Sequence, residues 1–238
     1  MKRNGGEFTT NDLALMQTWS DTLFPVTLIS ALAANPPVSP SLASASLIST
    51  QMYAHFLDVY VPKDTPYEQS FFSELAIRPN HEPALIRALN ALSLVAVGGV
   101  RRDQVVVQEA VMEYGRALAA LAKVVGRPGF VPTDEIHAAV TILALCEFYD
   151  AIKQEGGWAK HMAGAAGMLV ARGGPNKVRS RLGLLMVSNA KHPALAQSLL
   201  IRKECLLGKK AWREVLFKCP VVDQSTYFYA LALQVPGF

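Results

Sequence analysis

The stretch 158–174, WAKHMAGAAGMLVARGG, sets a Trp, a His, an Arg and four glycines within seventeen residues. Three chemistries could use such a run: a phosphate cradle, the rim of an active site, or close packing of one helix on another. A P-loop needs GxxxxGK followed by Ser or Thr, and a dinucleotide turn needs GxGxxG after a strand. Neither pattern occurs, and no strand-like pattern precedes the run. Helix packing fits the spacing better. Trp158, His161, Ala165, Leu169 and Arg172 follow one another at intervals of 3, 4, 4 and 3, which puts them on one helical face. Ala163, Gly164, Ala166 and Gly167 remove bulk and predict a close approach to the preceding helix, where Ala138, Ala139 and Ala144 are equally small. Gly costs about 1 kcal/mol against Ala inside a helix, so that approach has to return packing energy. On this reading His161 is a hydrogen-bonded residue of the interface.

The other reactive side chains give weaker patterns. Five histidines (His55, His81, His137, His161, His192) form no HxH, HExxH or His/Cys pair at metal spacing. Cys146, Cys205 and Cys219 contain no CxxC pair and are too few for a disulfide framework. Cys146 reads as a buried, inert thiol among Leu145, Glu147 and Phe148. No GxSxG elbow presents a nucleophile. Glu147 stands out because it continues the stripe Ile136–Val140–Leu143 and so carries a carboxylate into apolar surroundings. With no second carboxylate on that stripe, a structural pairing with Arg or His outweighs a catalytic acid.

The elements that hold these residues read as helices. Residues 133–152 open with a Thr cap and two acids suited to the positive end of a helix dipole, and their middle is apolar nearly all round. That marks a central element. Pro83 opens a helix that Gly98-Gly99 would stop, and Asp103 or Gln104 starts another that runs to about Val125. A shorter helix or turn is expected over Pro66–Ile77, and helical patterns recur at about 178–189, 193–206 and 209–217. Further upstream, Leu47, Met52, Tyr53, Phe56 and Tyr60 make a stripe that stops at Pro62, and residues 11–33 hold at most one short helix. No segment sustains period-two alternation. The predicted fold is all-α: antiparallel helical hairpins in an α-solenoid-like bundle, without the signatures of tetratricopeptide repeats.

Composition agrees. Apolar residues make up 51% of the 238 and charged residues 18%, enough to build a core and too apolar for a disordered chain. The net charge of +4 is scattered, with no basic block of the kind that tracks nucleic acid. The longest apolar runs, near Leu23–Ala34 and Ala88–Val100, fall short of the roughly 20 residues a membrane helix needs.

The run ILALCEFYDAI at 142–152, followed by 158–174, resembles the middle regulatory region of fungal binuclear zinc-cluster transcription factors. That region carries a Leu-rich helix ending in Tyr-Glu, then a helix reading W-x-x-H-x-x-G-A, closed by Arg-Gly. Glu147, Trp158, His161, Gly164, Ala165, Arg172 and Gly173 fall on its signature, while Cys146 stands where Tyr is usual. Upstream, YAHFLDVYVP at 53–62 and the segment 67–96 resemble the opening of that region. Downstream, LLIRKECLLGKKAWREV at 199–215 resembles a later Leu-Leu-x-Arg segment ending in Trp.

The resemblance implies a weakly ordered leader over 1–44 and a helical regulatory domain over 45–238, cut short at its C-terminal end. It implies a nuclear protein in control of transcription, with a biosynthetic gene cluster as the expected target. The six-cysteine cluster that reads DNA in such factors is missing, so sequence-specific DNA binding is not expected of this chain alone. No catalytic residue, cofactor or metal is expected. A protein partner or self-association is expected, a small-molecule effector in the helical core is open, and the membrane is excluded. The alternative is a non-enzymatic helical interaction scaffold with no transcriptional role. The tail 221–238 is apolar with Asp223 as its single charge, so it must fold back or leave an apolar face open.

Overall fold

The computed structural model describes residues 53–54, 57–58, 70–78, 80–147 and 157–235. The expected leader over 1–44, the helix at 11–33 and most of the stripe over 47–60 lie outside the described residues. So does the link at 148–156. The main helices are α1 (Phe71–Ala76), α2 (Pro83–Arg101), α3 (Gln104–Val125), α4 (Asp134–Cys146), α5 (Gly157–Ala171), α6 (Arg181–Ile201), α7 (Lys210–Leu216) and α8 (Gln224–Ala232). Short 3-10 turns occupy Pro175–Lys177 and Leu206–Gly208. The chain is all-α, with no strand among the described residues.

Side-chain caps fix where several helices start. Ser70, Asp103, Thr133 and Ser180 each accept a hydrogen bond from a backbone N–H of the first turn they precede. Asp223 and Thr226 form a reciprocal capping box at α8. Pro83 stands at the first turn of α2, where its missing N–H has no intrahelical partner to lose.

Two local stop signals are overridden. Gly98 and Gly99 do not end α2, which runs on to Arg101 and turns at Arg102 with a left-handed backbone (φ 54°). The role of Gly98 is close approach: a Cβ there would stand 2.9 Å from Val107 Cγ2 of α3. Pro193 does not divide the segment into helices at 178–189 and 193–206; α6 passes straight through it. An interior proline costs about 3 kcal/mol. Here Val187, Lys191, Leu195 and Ser198 are buried on either side of it, and that packing holds the helix together.

α2 lies between α3 and α4 and packs extensively on both. The link from α2 to α3 is only Arg102-Asp103, so these two run antiparallel. α4 is the central element: every residue from Ile136 to Cys146 is buried. One core gathers Leu75, Leu85, Leu92, Tyr114, Ile142 and Leu143. A second gathers Leu169, Val178, Leu195, Trp212, Leu216 and Leu233. α6 contributes to both, with Leu182, Leu185 and Met186 in the first and Val187 and Leu195 in the second. α8 folds back against α6 and α7, burying Ala230 and Leu233 while Tyr227, Phe228 and Leu231 stay exposed. No described helix is long and apolar enough to cross a membrane.

Candidate functional site

The sequence signature gathers around the hairpin of α4 and α5. Glu147 caps the C-terminus of α4, and its side chain is 2% exposed. The Tyr114 hydroxyl, from α3, donates to Glu147 Oε1. The same hydroxyl oxygen lies 2.7 Å from His161 Nε2 on α5. One phenolic proton cannot serve both contacts, so the geometry fixes a chain in which His161 Nε2–H donates to Tyr114, and Tyr114 donates to Glu147. Burial lowers the His161 pKa, with Glu147 opposing, which suits this neutral tautomer. Burial first, and then the Glu147 carboxylate, hold the Tyr114 phenol protonated by raising its pKa. Gly157 opens α5 directly against this carboxylate. A Cβ there would stand 2.5 Å from Glu147 Oε1, so the position has no room for a side chain.

The opposite end of the hairpin holds a second cluster. Asp134, in the first turn of α4, accepts from Arg172 just past α5 and from the Ser180 hydroxyl that caps α6. Ser180 Oγ in turn accepts from the Gly183 backbone, 3.0 Å away. Burial works against the Asp134 carboxylate, but the hydrogen bonds from Arg172 and Ser180 prevail and keep its pKa below the usual value. Gly173 and Gly174, both at positive φ (100° and 83°), make the tight turn between Arg172 and the 3-10 segment. Asp134 meets the C-terminal end of α5 while Glu147 meets its start, so α4 and α5 are antiparallel.

The predicted face of α5 is observed in part. Ala165 and Leu169 are buried, and Trp158, His161 and Arg172 are half-buried. The small-residue reading needs correction. Gly164 and Gly167 are exposed; a Cβ at Gly164 would meet only Val140 Cγ1 at 3.8 Å, and one at Gly167 would meet nothing within 4 Å. Among the glycines of α5 only Gly157 lacks room for a Cβ, because the buried carboxylate stands there, while on the alanine side of the seam Ala138, Ala139, Ala144 and Ala165 are buried as expected.

Between the two polar ends, α4, α5, α6 and the Cys205–Leu207 turn enclose a cavity of about 200 Å³. His137, Thr141, Trp158, Ala165, Asn189 and Pro193 are among the residues that line it. His137 is 2% exposed, and its Nδ1 has no hydrogen-bond partner among the described residues. Burial first, then the Arg172 charge, push its pKa down to about 4, so the ring is neutral at pH 7. Thr141 spends its hydroxyl proton on the His137 carbonyl at 3.1 Å.

Neither polar cluster opens onto that cavity. Tyr114 and the Glu147 side chain are almost wholly buried, and none of Tyr114, Glu147, His161, Asp134 and Arg172 lines the cavity. Cys146 is fully buried, and burial raises its thiol pKa, so it is poorly placed to be a nucleophile. Among the described residues no three His, Cys, Asp or Glu side chains group as metal ligands.

Tyr114, Asp134 in its tertiary role and His137 went unread in the sequence. A weak signal existed for His137: it lies three residues after Asp134 and four before Thr141 on an otherwise apolar helix. Comparisons with protein-family models, with curated proteins and with solved structures find no match to this chain.

Proposed function

We propose that this chain is a non-enzymatic, all-α regulatory module acting in the control of transcription, in line with its resemblance to the regulatory region of fungal zinc-cluster factors. The observation that carries the reading is the use made of the signature. Glu147 and His161 meet through Tyr114, Arg172 meets Asp134, and both sets clamp α4 to its neighbours rather than open onto solvent. A sequence pattern spent on holding a helical hairpin fits a module that works through its shape and its contacts. The three cysteines form no six-cysteine cluster, so in this reading these 238 residues do not themselves read DNA sequence.

The contact face is best supported on α8 and the end of α7. Phe217 and Tyr227 pack with ring centroids 5.2 Å apart and planes tilted by 57°, and Phe217, Tyr227, Phe228 and Leu231 are all exposed. This face also favours the second reading, an interaction scaffold with no transcriptional role. Fluorescence imaging of the tagged chain, together with a reporter driven by a co-expressed zinc-cluster factor, separates the two. Nuclear accumulation with a changed reporter output supports the regulatory reading; cytoplasmic retention with an unchanged reporter overturns it in favour of the scaffold. Light scattering tests the face itself. The parent should self-associate at micromolar concentration and Leu231→Asp should reduce that association, whereas buried Leu233 is a core residue and unsuited to this test.

A further inference from the structure

We infer that the cavity between α4, α5 and α6 is a binding site for an uncharged, largely apolar small molecule that carries one hydroxyl group. Nothing in this inference depends on the transcriptional reading.

Size sets the first bound. About 200 Å³ exceeds the roughly 150 Å³ of an apolar protein cavity that accepts benzene, so one or two fused rings fit. Chemistry sets the second. The walls are chiefly Ala, Leu, Met and Trp side chains, and no described lining residue is Asp, Glu, Lys or Arg. An ionised ligand would lose its hydration there and meet no counter-charge. Leu199 and Leu200 belong to the lining and are exposed, so the cavity has a mouth on the surface.

Two features ask for a hydroxyl. His137 lines the cavity with a buried imidazole whose Nδ1 is unpartnered and sealed from water, a state that costs about 1–3 kcal/mol and that a turn of the ring toward a ligand would relieve. Pro193 has no N–H, so the Asn189 carbonyl one turn earlier lacks the donor an ordinary residue would supply. Both Asn189 and Pro193 line the same cavity as His137. Two other polar groups of the lining are already engaged: Thr141 donates to the His137 carbonyl, and Gln197 Nε2 donates to the Ala159 carbonyl at 3.3 Å. A hydroxyl both donates and accepts, so one group on the ligand can answer the imidazole in either tautomer.

Equilibrium dialysis of the purified full chain against 2-naphthol, naphthalene and 2-naphthoate at pH 7.5 tests this. 2-Naphthol should bind most tightly, naphthalene about tenfold more weakly for want of one hydrogen bond, and 2-naphthoate least. His137→Phe should erase the advantage of naphthol over naphthalene. Ala194→Phe should fill the cavity and abolish binding of both, with Ala166→Leu on the opposite wall as the substitute if that variant fails to fold by circular dichroism. The inference is overturned if the parent binds neither neutral probe, if naphthoate binds as tightly as naphthol, if His137→Phe keeps the preference, or if a folded cavity-filling variant binds undiminished.

Discussion

The two ends of the α4–α5 hairpin and its middle treat buried polar groups in opposite ways. At one end Glu147 is met by Tyr114, which is itself met by His161; at the other Asp134 is met by Arg172 and Ser180. In between, His137 sits one helical turn from Asp134, and its Nδ1 is met by nothing among the described residues. The same helix therefore carries satisfied polar groups where it grips its neighbours and an unsatisfied one where a cavity adjoins it. Burying a polar group without a partner is costly, so closed clusters mark where the fold is held and the open one marks where something else is to be held.

The largest effect that would break this contrast is at the Asp134 end. Asp134→Ala removes the acceptor for both Arg172 and Ser180 and leaves a guanidinium only 15% exposed without its carboxylate. We expect a loss of about 3 kcal/mol, the low end for breaking a buried pair, read as a drop in the urea midpoint. A loss under about 0.5 kcal/mol, the range of ordinary surface changes, would reduce this end to surface decoration.

Acid should act next. The folded His137 pKa is about 4 against an ordinary 6.5, because burial and the Arg172 charge outweigh Asp134. Above pH 6.5 neither state takes a proton and this group contributes nothing to the pH dependence. As pH falls below 6.5 the unfolded chain protonates first, so stability declines until about pH 4, where the folded chain protonates too. That difference corresponds to about 3 kcal/mol. His161 and His192, whose pKa values are also lowered by burial, push the same way. Melting curves at pH 7 and pH 4.5 should show the decline, and His137→Phe should make it shallower.

Glycines sharpen the comparison further. Gly157→Ala would press a Cβ onto the Glu147 carboxylate, which can yield only by leaving Tyr114, and should cost about 1–3 kcal/mol. Gly164→Leu points into open surroundings and should change stability by less than about 0.5 kcal/mol. Thermal melts of the two variants side by side give the order. If Gly164→Leu is the worse, the small-residue seam read from the sequence is restored.

That reversal shows where sequence reading holds and where it stops. α4 was legible because its first-turn acids and its all-round apolarity are written within its thirteen residues and its cap, Thr133, stands directly before them. The buried, inert character of Cys146 followed from the same run. A structural partner for Glu147 was readable as a type of contact, but His161 stands 3.9 Å from the carboxylate and reaches it through Tyr114. Tyr114 was not readable, because 33 residues separate it from Glu147 and only the packing of α3 brings it near. Asp134 was legible as a helix-dipole residue, yet its partners Arg172 and Ser180 come from two other elements. Gly98 and Pro193 misled for a related reason: local propensity weighs about 1–3 kcal/mol, and tertiary packing outweighed it at both.

The central claim is that the signature residues form a coupled structural clamp. A double-mutant cycle of Tyr114→Phe and Glu147→Gln, followed by urea denaturation, tests it most directly. The account predicts that the two losses fail to add, with a coupling energy of about 1–3 kcal/mol, as for groups sharing one buried hydrogen-bond network. Losses that add to within about 0.5 kcal/mol would mean the two groups act independently, and the clamp would be contradicted.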